Sequence, residues 1–127
     1  MSLSIQPNTT LRGRAAEAAA CVYLAGLGFK IIDRNFRGGH GEIDIIAWDE
    51  GVLVFVEVRA RNNEDHGTPL ETITPQKVSR VISAARIYLE DRLGIEHRGA
   101  WPRMRFDAVG VLGYPPEFTH LREAFET

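Results

Sequence analysis

The stretch from Gly41 to Arg61, GEIDIIAWDEGVLVFVEVRAR, constrains this chain more than any other. Two arms rich in Val, Ile, Phe and Trp flank Glu50-Gly51, and an acidic residue followed by glycine is a strong signal for a tight hairpin turn. With Glu50 and Gly51 as the turn, Asp49 faces Val52, Trp48 faces Leu53 and Ile46 faces Phe55. Carried further, the count sets Asp44 against Glu57 and Glu42 against Arg59.

Side chains alternate between the faces of a strand with a period of two. One face then carries Ile43, Ile45, Ala47, Val52, Val54, Val56 and Val58 and is wholly apolar. The other is apolar near the turn, with Ile46, Trp48, Leu53 and Phe55, and charged at its far end, with Glu42, Asp44, Glu57 and Arg59. Directly opposed side chains lie roughly 4.5–5.5 Å apart at Cβ, where like charges repel. Two carboxylates beside an apolar surface need a cation. Mg²⁺ or Mn²⁺ would serve, since hard cations are held by one or two carboxylates together with phosphate oxygens and water. An ion-pair cluster, in which Arg59 and a second arginine neutralise Asp44 and Glu57, would serve as well.

The rest of the chain sets limits. Its 127 residues suit one domain with a real core. No apolar run approaches the ~18 residues of a membrane-spanning helix. The opening MSLSIQPNTT lacks the basic and apolar regions of a signal peptide. A single cysteine, Cys21, excludes an internal disulfide and fits a reducing, cytoplasmic setting. Net charge of −2 argues against coating nucleic acid by bulk electrostatics. Thirteen arginines against two lysines nevertheless give a base composition suited to phosphate groups, which the guanidinium fork matches. A GC-rich genome would produce the same bias.

Leu11 to Leu27 is expected to be a helix, with Asn8, Thr9 and Thr10 as candidate caps. Glu17 is its one acid, on a stripe with Gly13, Cys21 and Leu24. It becomes a candidate third carboxylate if the helix packs beside the hairpin. Phe29 to Phe36 reads as a strand, followed by the turn Arg37-Gly38-Gly39-His40-Gly41, which lacks P-loop spacing. A polar loop spans 62–72. Thr74 caps a second helix that starts with Pro75 and ends by Gly94. Its first turn presents Gln76 and Lys77, where backbone N–H groups favour an anion. A connector, 95–103, leads to a strand from Met104 to Leu112 containing Asp107, read as supporting the site rather than only pairing with Arg105. Phe118 to Phe125 reads as a short helix packing through Leu121 and Phe125. The order α-β-β-β-α-β implies an α/β fold, a mixed sheet with the hairpin at its centre and helices on its faces.

Five blocks in this order resemble one family. GRAAEAAACVYLAGLGF, RNFRGGHGEIDIIA, VFVEVRAR, HGTPLETITPQK and RFDAVGV, between Arg12 and Leu112, are similar to the YraN-like proteins. These are small bacterial proteins of the restriction-endonuclease-like PD-(D/E)xK superfamily, akin to archaeal Holliday-junction resolvases. The resemblance implies one endonuclease-like domain over 1–127, with a core at 11–112 and an extension at 113–127. It implies Mg²⁺-dependent cleavage of DNA phosphodiester bonds in branched or single-stranded structures. Asp44 would be the principal metal ligand, Glu57 the second acid and Glu17 the helix acid. Arg59 stands where the superfamily has lysine. Arginine does not lose its proton, so it can stabilise charge but cannot act as a base. Gln76 and Lys77 match the helix position that assists the site, and Arg34, Arg37, Arg61 and Arg80 would contact flanking backbone. A homodimer would supply the two cuts that a four-way junction needs. A non-catalytic nucleic-acid-binding or protein-interaction module on the same fold is the competing function.

Overall fold

Glu50 and Gly51 both have positive φ, 51° and 86°, as a two-residue hairpin turn matched to strand twist requires. The turn joins β2 (Gly41–Asp49) to β3 (Val52–Arg61). Their register is the counted one: Asp49 with Val52, Trp48 with Leu53, Ile46 with Phe55. The computed structural model describes residues 7–61, 73–94 and 102–124, with side chains from residue 13 onward. The expected loop 62–72, most of the connector 95–103, the opening residues 1–6 and Phe125 lie outside that range.

Five strands form one sheet in the order β1-β2-β3-β4-β5, with β1 Lys30–Gly38, β4 Met104–Leu112 and β5 Glu117–Leu121. The β3–β4 pair is parallel and the other three are antiparallel. Two helices, α1 (Pro7–Gly26) and α2 (Pro75–Asp91), cover the sheet. This is the α/β architecture expected, with a fifth strand added. The helix α1 begins before the candidate caps Asn8, Thr9 and Thr10, which lie within it.

Each helix buries a narrow apolar stripe. Ala16, Ala20 and Leu24 of α1 lie against Ile45, Val54, Val56 and Val109. Val81, Ala85 and Leu89 of α2 lie against Ile46, Leu53, Phe55 and Phe106 on the opposite face. Burying one such Leu, Ile, Val or Phe contributes roughly 1.5–3 kcal/mol. At the start of α2, Thr74 is extended and its hydroxyl accepts the Lys77 N–H at 3.2 Å. A cap of this kind contributes about 1 kcal/mol and sets where the first turn points.

The sheet departs from the sequence reading in two places. Ile43 packs with Phe36 and the α2 cluster, not with Ile45 and Ala47 on the α1 face. Its partner Phe36 moves with it, since Arg34 pairs with Ile45 and Phe36 with Ile43. Between them stands Asn35 at φ 54°, a left-handed conformation that asparagine tolerates better than most residues. The twist there turns both strands over together, which simple alternation does not anticipate. The second departure is the expected helix 118–125, which is β5 through Leu121 and a turn after it, as far as the described residues run. Phe118 and His120 turn inward while Glu117, Thr119 and Leu121 face out. Phe118 stacks on Tyr23 of α1 with ring centroids 4.6 Å apart. The hydrogen-bonding edge of β4 decides the outcome, and Leu121 ends about half exposed.

Among the described residues no helix is long and apolar enough to cross a membrane.

Candidate functional site

The β2–β3 ladder stops at Ile45 and Val56. One step further Asp44 turns its carboxylate across the gap, and Oδ2 accepts the Val58 N–H at 2.7 Å. Asp44 and Glu57 are thus held near each other as counted, but by this side-chain bond and not by a continued ladder. Glu57 is 3% exposed on the α2 face of the sheet. Its Oε2 is 3.3 Å from Lys77 Nζ and 3.3 Å from Arg59 Nη1. The N-terminal turn of α2, aimed by Thr74, therefore delivers Lys77 onto the second carboxylate, while Gln76 stays exposed.

Glu17 arrives from the other face. Its carboxyl group meets Asp44 and Asn35, with Arg34 nearby. One of its oxygens, Oε1, is buried without a hydrogen bond among the described residues. Burial, reinforced by repulsion from Asp44, pushes Glu17 up to about 7. Burial and then repulsion from Glu57 push Asp44 to about 7 as well, against the pull of the Val58 N–H. Glu57 is also raised by burial, with Lys77 and Arg59 opposing the shift. Three carboxyl groups from α1, β2 and β3 are gathered with too little positive charge to ionise them all comfortably.

The expected ion-pair cluster is present in part. Arg59 and Lys77 neutralise Glu57, so the second cation is a lysine and not an arginine. Among the described residues, Asp44 and Glu17 have no such ion pair. Nor do three or more His, Cys, Asp or Glu side chains form a ready-made metal shell among those residues. The donor set suits a hard cation that takes one or two carboxylates and fills the rest of its sphere with water and phosphate oxygen. The buried, unbonded Glu17 Oε1 fits the same chemistry.

The four flanking arginines do not converge. Arg37 and Arg80 line a polar concavity with Lys77 on the α2 side. Arg34 lies on the α1 side near Glu17. Arg61 instead borders an apolar cavity of about 290 Å³ with Ala15, Ala19, Val111 and Tyr114, and its Nε is buried without a partner among the described residues.

Asp107 serves a different cluster. It is fully buried, accepts from Arg105 Nε at 2.8 Å and Nη2 at 3.0 Å, contacts His120 Nε2 at 2.8 Å, and accepts the Glu123 N–H at 3.1 Å. Arg105 also donates to Asp49 at 3.0 Å. These contacts fasten β5 to the hairpin end of the sheet, so Asp107 does not support the carboxylates as expected. Asn35 is the site residue that sequence reading missed. Its only signal is an asparagine inside an otherwise regular strand, one residue beyond Arg34.

The profile described as "Uncharacterised protein family UPF0102" matches residues 16–111, which include all three carboxylates, Arg59 and Lys77. A UPF0102 protein from Chlorobium limicola is 47% identical over 100 residues, 79% of this chain and 74% of that protein. One from Chromohalobacter salexigens is 44% identical over 118 residues, 91% of this chain and 90% of the relative. One from Rhodococcus opacus is 40% identical over 116 residues, covering 89% and 94% respectively.

Proposed function

The chain belongs to the UPF0102 family, and from that premise we propose that its carboxylate cluster is the active site of a metal-dependent DNA endonuclease of the PD-(D/E)xK type. The observation that carries this reading is the convergence of Glu17, Asp44 and Glu57 from three elements at the point where β2 and β3 part, with Lys77 on Glu57. A structural salt bridge has no need of the third acid.

Asp44 and Glu57 would hold Mg²⁺ or Mn²⁺, with Glu17 beside them. When bound, the ion supplies Lewis acidity toward a phosphoryl oxygen. Lys77 and Arg59 place positive charge where the scissile phosphate gains negative charge, the effect that most often dominates such catalysis. Neither contact reads base identity, so the substrate is chosen by structure, branched or single-stranded, more than by sequence. An arginine fork donates hydrogen bonds and is no base, so Arg59 would stabilise charge without abstracting a proton.

The non-catalytic alternative draws on one observation, the neutralisation of Glu57 by Arg59 and Lys77. Calorimetric Mn²⁺ titration of the wild type and of Glu57→Ala separates the two. Binding in the wild type alone, followed by cleavage of branched or single-stranded DNA that Asp44→Ala and Glu57→Ala each reduce about 100-fold or more, is the expected result. Cleavage that survives in both variants would remove the assigned site. Absence of Mn²⁺ binding and cleavage, with DNA still bound, would leave the module.

A further inference from the structure

Beside the carboxylates, on the α2 flank, lies a concavity of about 470 Å³ bounded by Arg37, Gly39, His40, Gly41, Lys77 and Arg80. Glu42 and Val81 complete its walls. Three cationic side chains share it with one carboxylate. The Arg37–Glu42 pair is long, at 3.9 Å, and Arg37 is largely exposed, so Glu42 offsets little of that charge. Arg80 has no ion pair among the described residues.

The walls are preformed. Gly41 lies directly against the Arg80 carbonyl oxygen, where any Cβ would collide with backbone. Gly39 is left-handed at φ 59° and faces Ile87. The β1–β2 turn is therefore seated on α2 by backbone contact, and the pocket between them needs no rearrangement to exist. Its volume is on the order of fifteen waters, more than a lone inorganic ion occupies. Arginine forks bind phosphate oxygens in pairs, and His40 adds a ring nitrogen. Lys77 belongs to both places, contacting Glu57 and lining the pocket. A strand with one phosphate at Glu57 and Lys77 would carry its neighbouring nucleotide into this concavity.

We propose that the pocket between the β1–β2 turn and α2 is a second phosphate site, which holds the phosphorylated nucleotide adjacent to the cut without help from a metal ion. Its biological purpose rests on the nuclease reading; its ligand chemistry rests on the pocket.

The test is an NMR titration of the full chain in EDTA with a nucleoside 5′-monophosphate, the unphosphorylated nucleoside and inorganic phosphate. The monophosphate should shift the Gly39, His40, Gly41 and Arg80 amide signals. The nucleoside should not, and inorganic phosphate should bind at least tenfold more weakly than the monophosphate. Arg37→Ala/Arg80→Ala, whose substitutions lie at exposed positions and whose spectrum reports folding, should weaken monophosphate binding at least tenfold. No shift with the monophosphate, an unchanged affinity in the double variant, or equal binding of the nucleoside would overturn the site. Equal binding of inorganic phosphate would overturn its assignment to a nucleotide. Asp44→Ala should bind the monophosphate as the wild type does. Monophosphate binding in a protein that cleaves no DNA would sink the nuclease reading alone, whereas cleavage without monophosphate binding would sink the pocket alone.

Discussion

The Asp44 carboxylate occupies the place a β2 carbonyl would take opposite the Val58 N–H, at 2.7 Å. A ladder bond has been exchanged for a side-chain bond, and β2 is free to turn away at the level of Asn35. The exchange holds a carboxylate at the mouth of the sheet, beside Glu57 and within reach of Glu17 from the other face.

Stability should fall as pH rises from about 4.5 to 7. Glu17 and Asp44 both titrate near 7 when folded, above their ordinary values of 4.5 and 3.8. In that window the folded state retains protons that the unfolded chain has lost, so each pH unit favours unfolding, and the loss is complete above 7. Thermal melts at pH 5 and pH 8 should show the lower Tm at pH 8. Asp44→Asn should shrink the difference, and a Tm equally high at both pH values in the wild type would refute the assignment.

Mg²⁺ or Mn²⁺ should raise the Tm at pH 8 and have much less effect at pH 5, where the same carboxyl groups are protonated. A ligand at about 100 times its Kd stabilises by roughly 2.7 kcal/mol. Glu57→Ala should lose most of that gain. A shift of equal size at both pH values would point to binding elsewhere.

Arg59→Lys should raise the cleavage rate and add a limb to its pH profile. Lysine can shed its proton when poorly solvated and arginine cannot. Arg59 lies against Glu57, whose charge holds a lysine there protonated, so the gain should appear toward high pH. A pH–rate comparison of the two proteins reads this directly; identical profiles would mean that this position acts through charge alone.

Asp107→Ala should destabilise by about 3–5 kcal/mol, the usual cost of stranding one partner of a buried charge pair. Burial opposes ionisation of Asp107, but bonds from Arg105, His120 and the Glu123 N–H outweigh it and hold the carboxyl below its ordinary range. Denaturant unfolding measures the loss. Metal affinity of the folded fraction should match the wild type, because the Asp107 partners lie outside the carboxylate cluster.

Gly41→Ala should cost about 1–3 kcal/mol, as overpacking at a backbone contact does. The added methyl meets the Arg80 carbonyl, which a helix cannot easily withdraw. Gly26→Ala, where a Cβ meets nothing, is the control for loss of glycine itself. Equal unfolding midpoints for the two variants would contradict the close seating of the turn on α2.

The hairpin, its register, the Thr74 cap and the meeting of Asp44 with Glu57 were legible in the residues, because turn chemistry, period-two patterning and capping act over a few positions. Glu17 could be singled out as an acid on a small-residue stripe, and the family resemblance made it a candidate third carboxylate. Local pattern could not supply the reversal at Asn35 and Asp44, which depends on two strands twisting together and carries Ile43 to the opposite face. Nor could it make a strand of Glu117–Leu121, since the open edge of β4 and the ring of Tyr23 lie far away in the chain. The partnership of Asp107 with His120 followed from that strand. Residue types and spacing determined which groups could do chemistry; long-range packing decided which of them met, and how much water was left to share their charge.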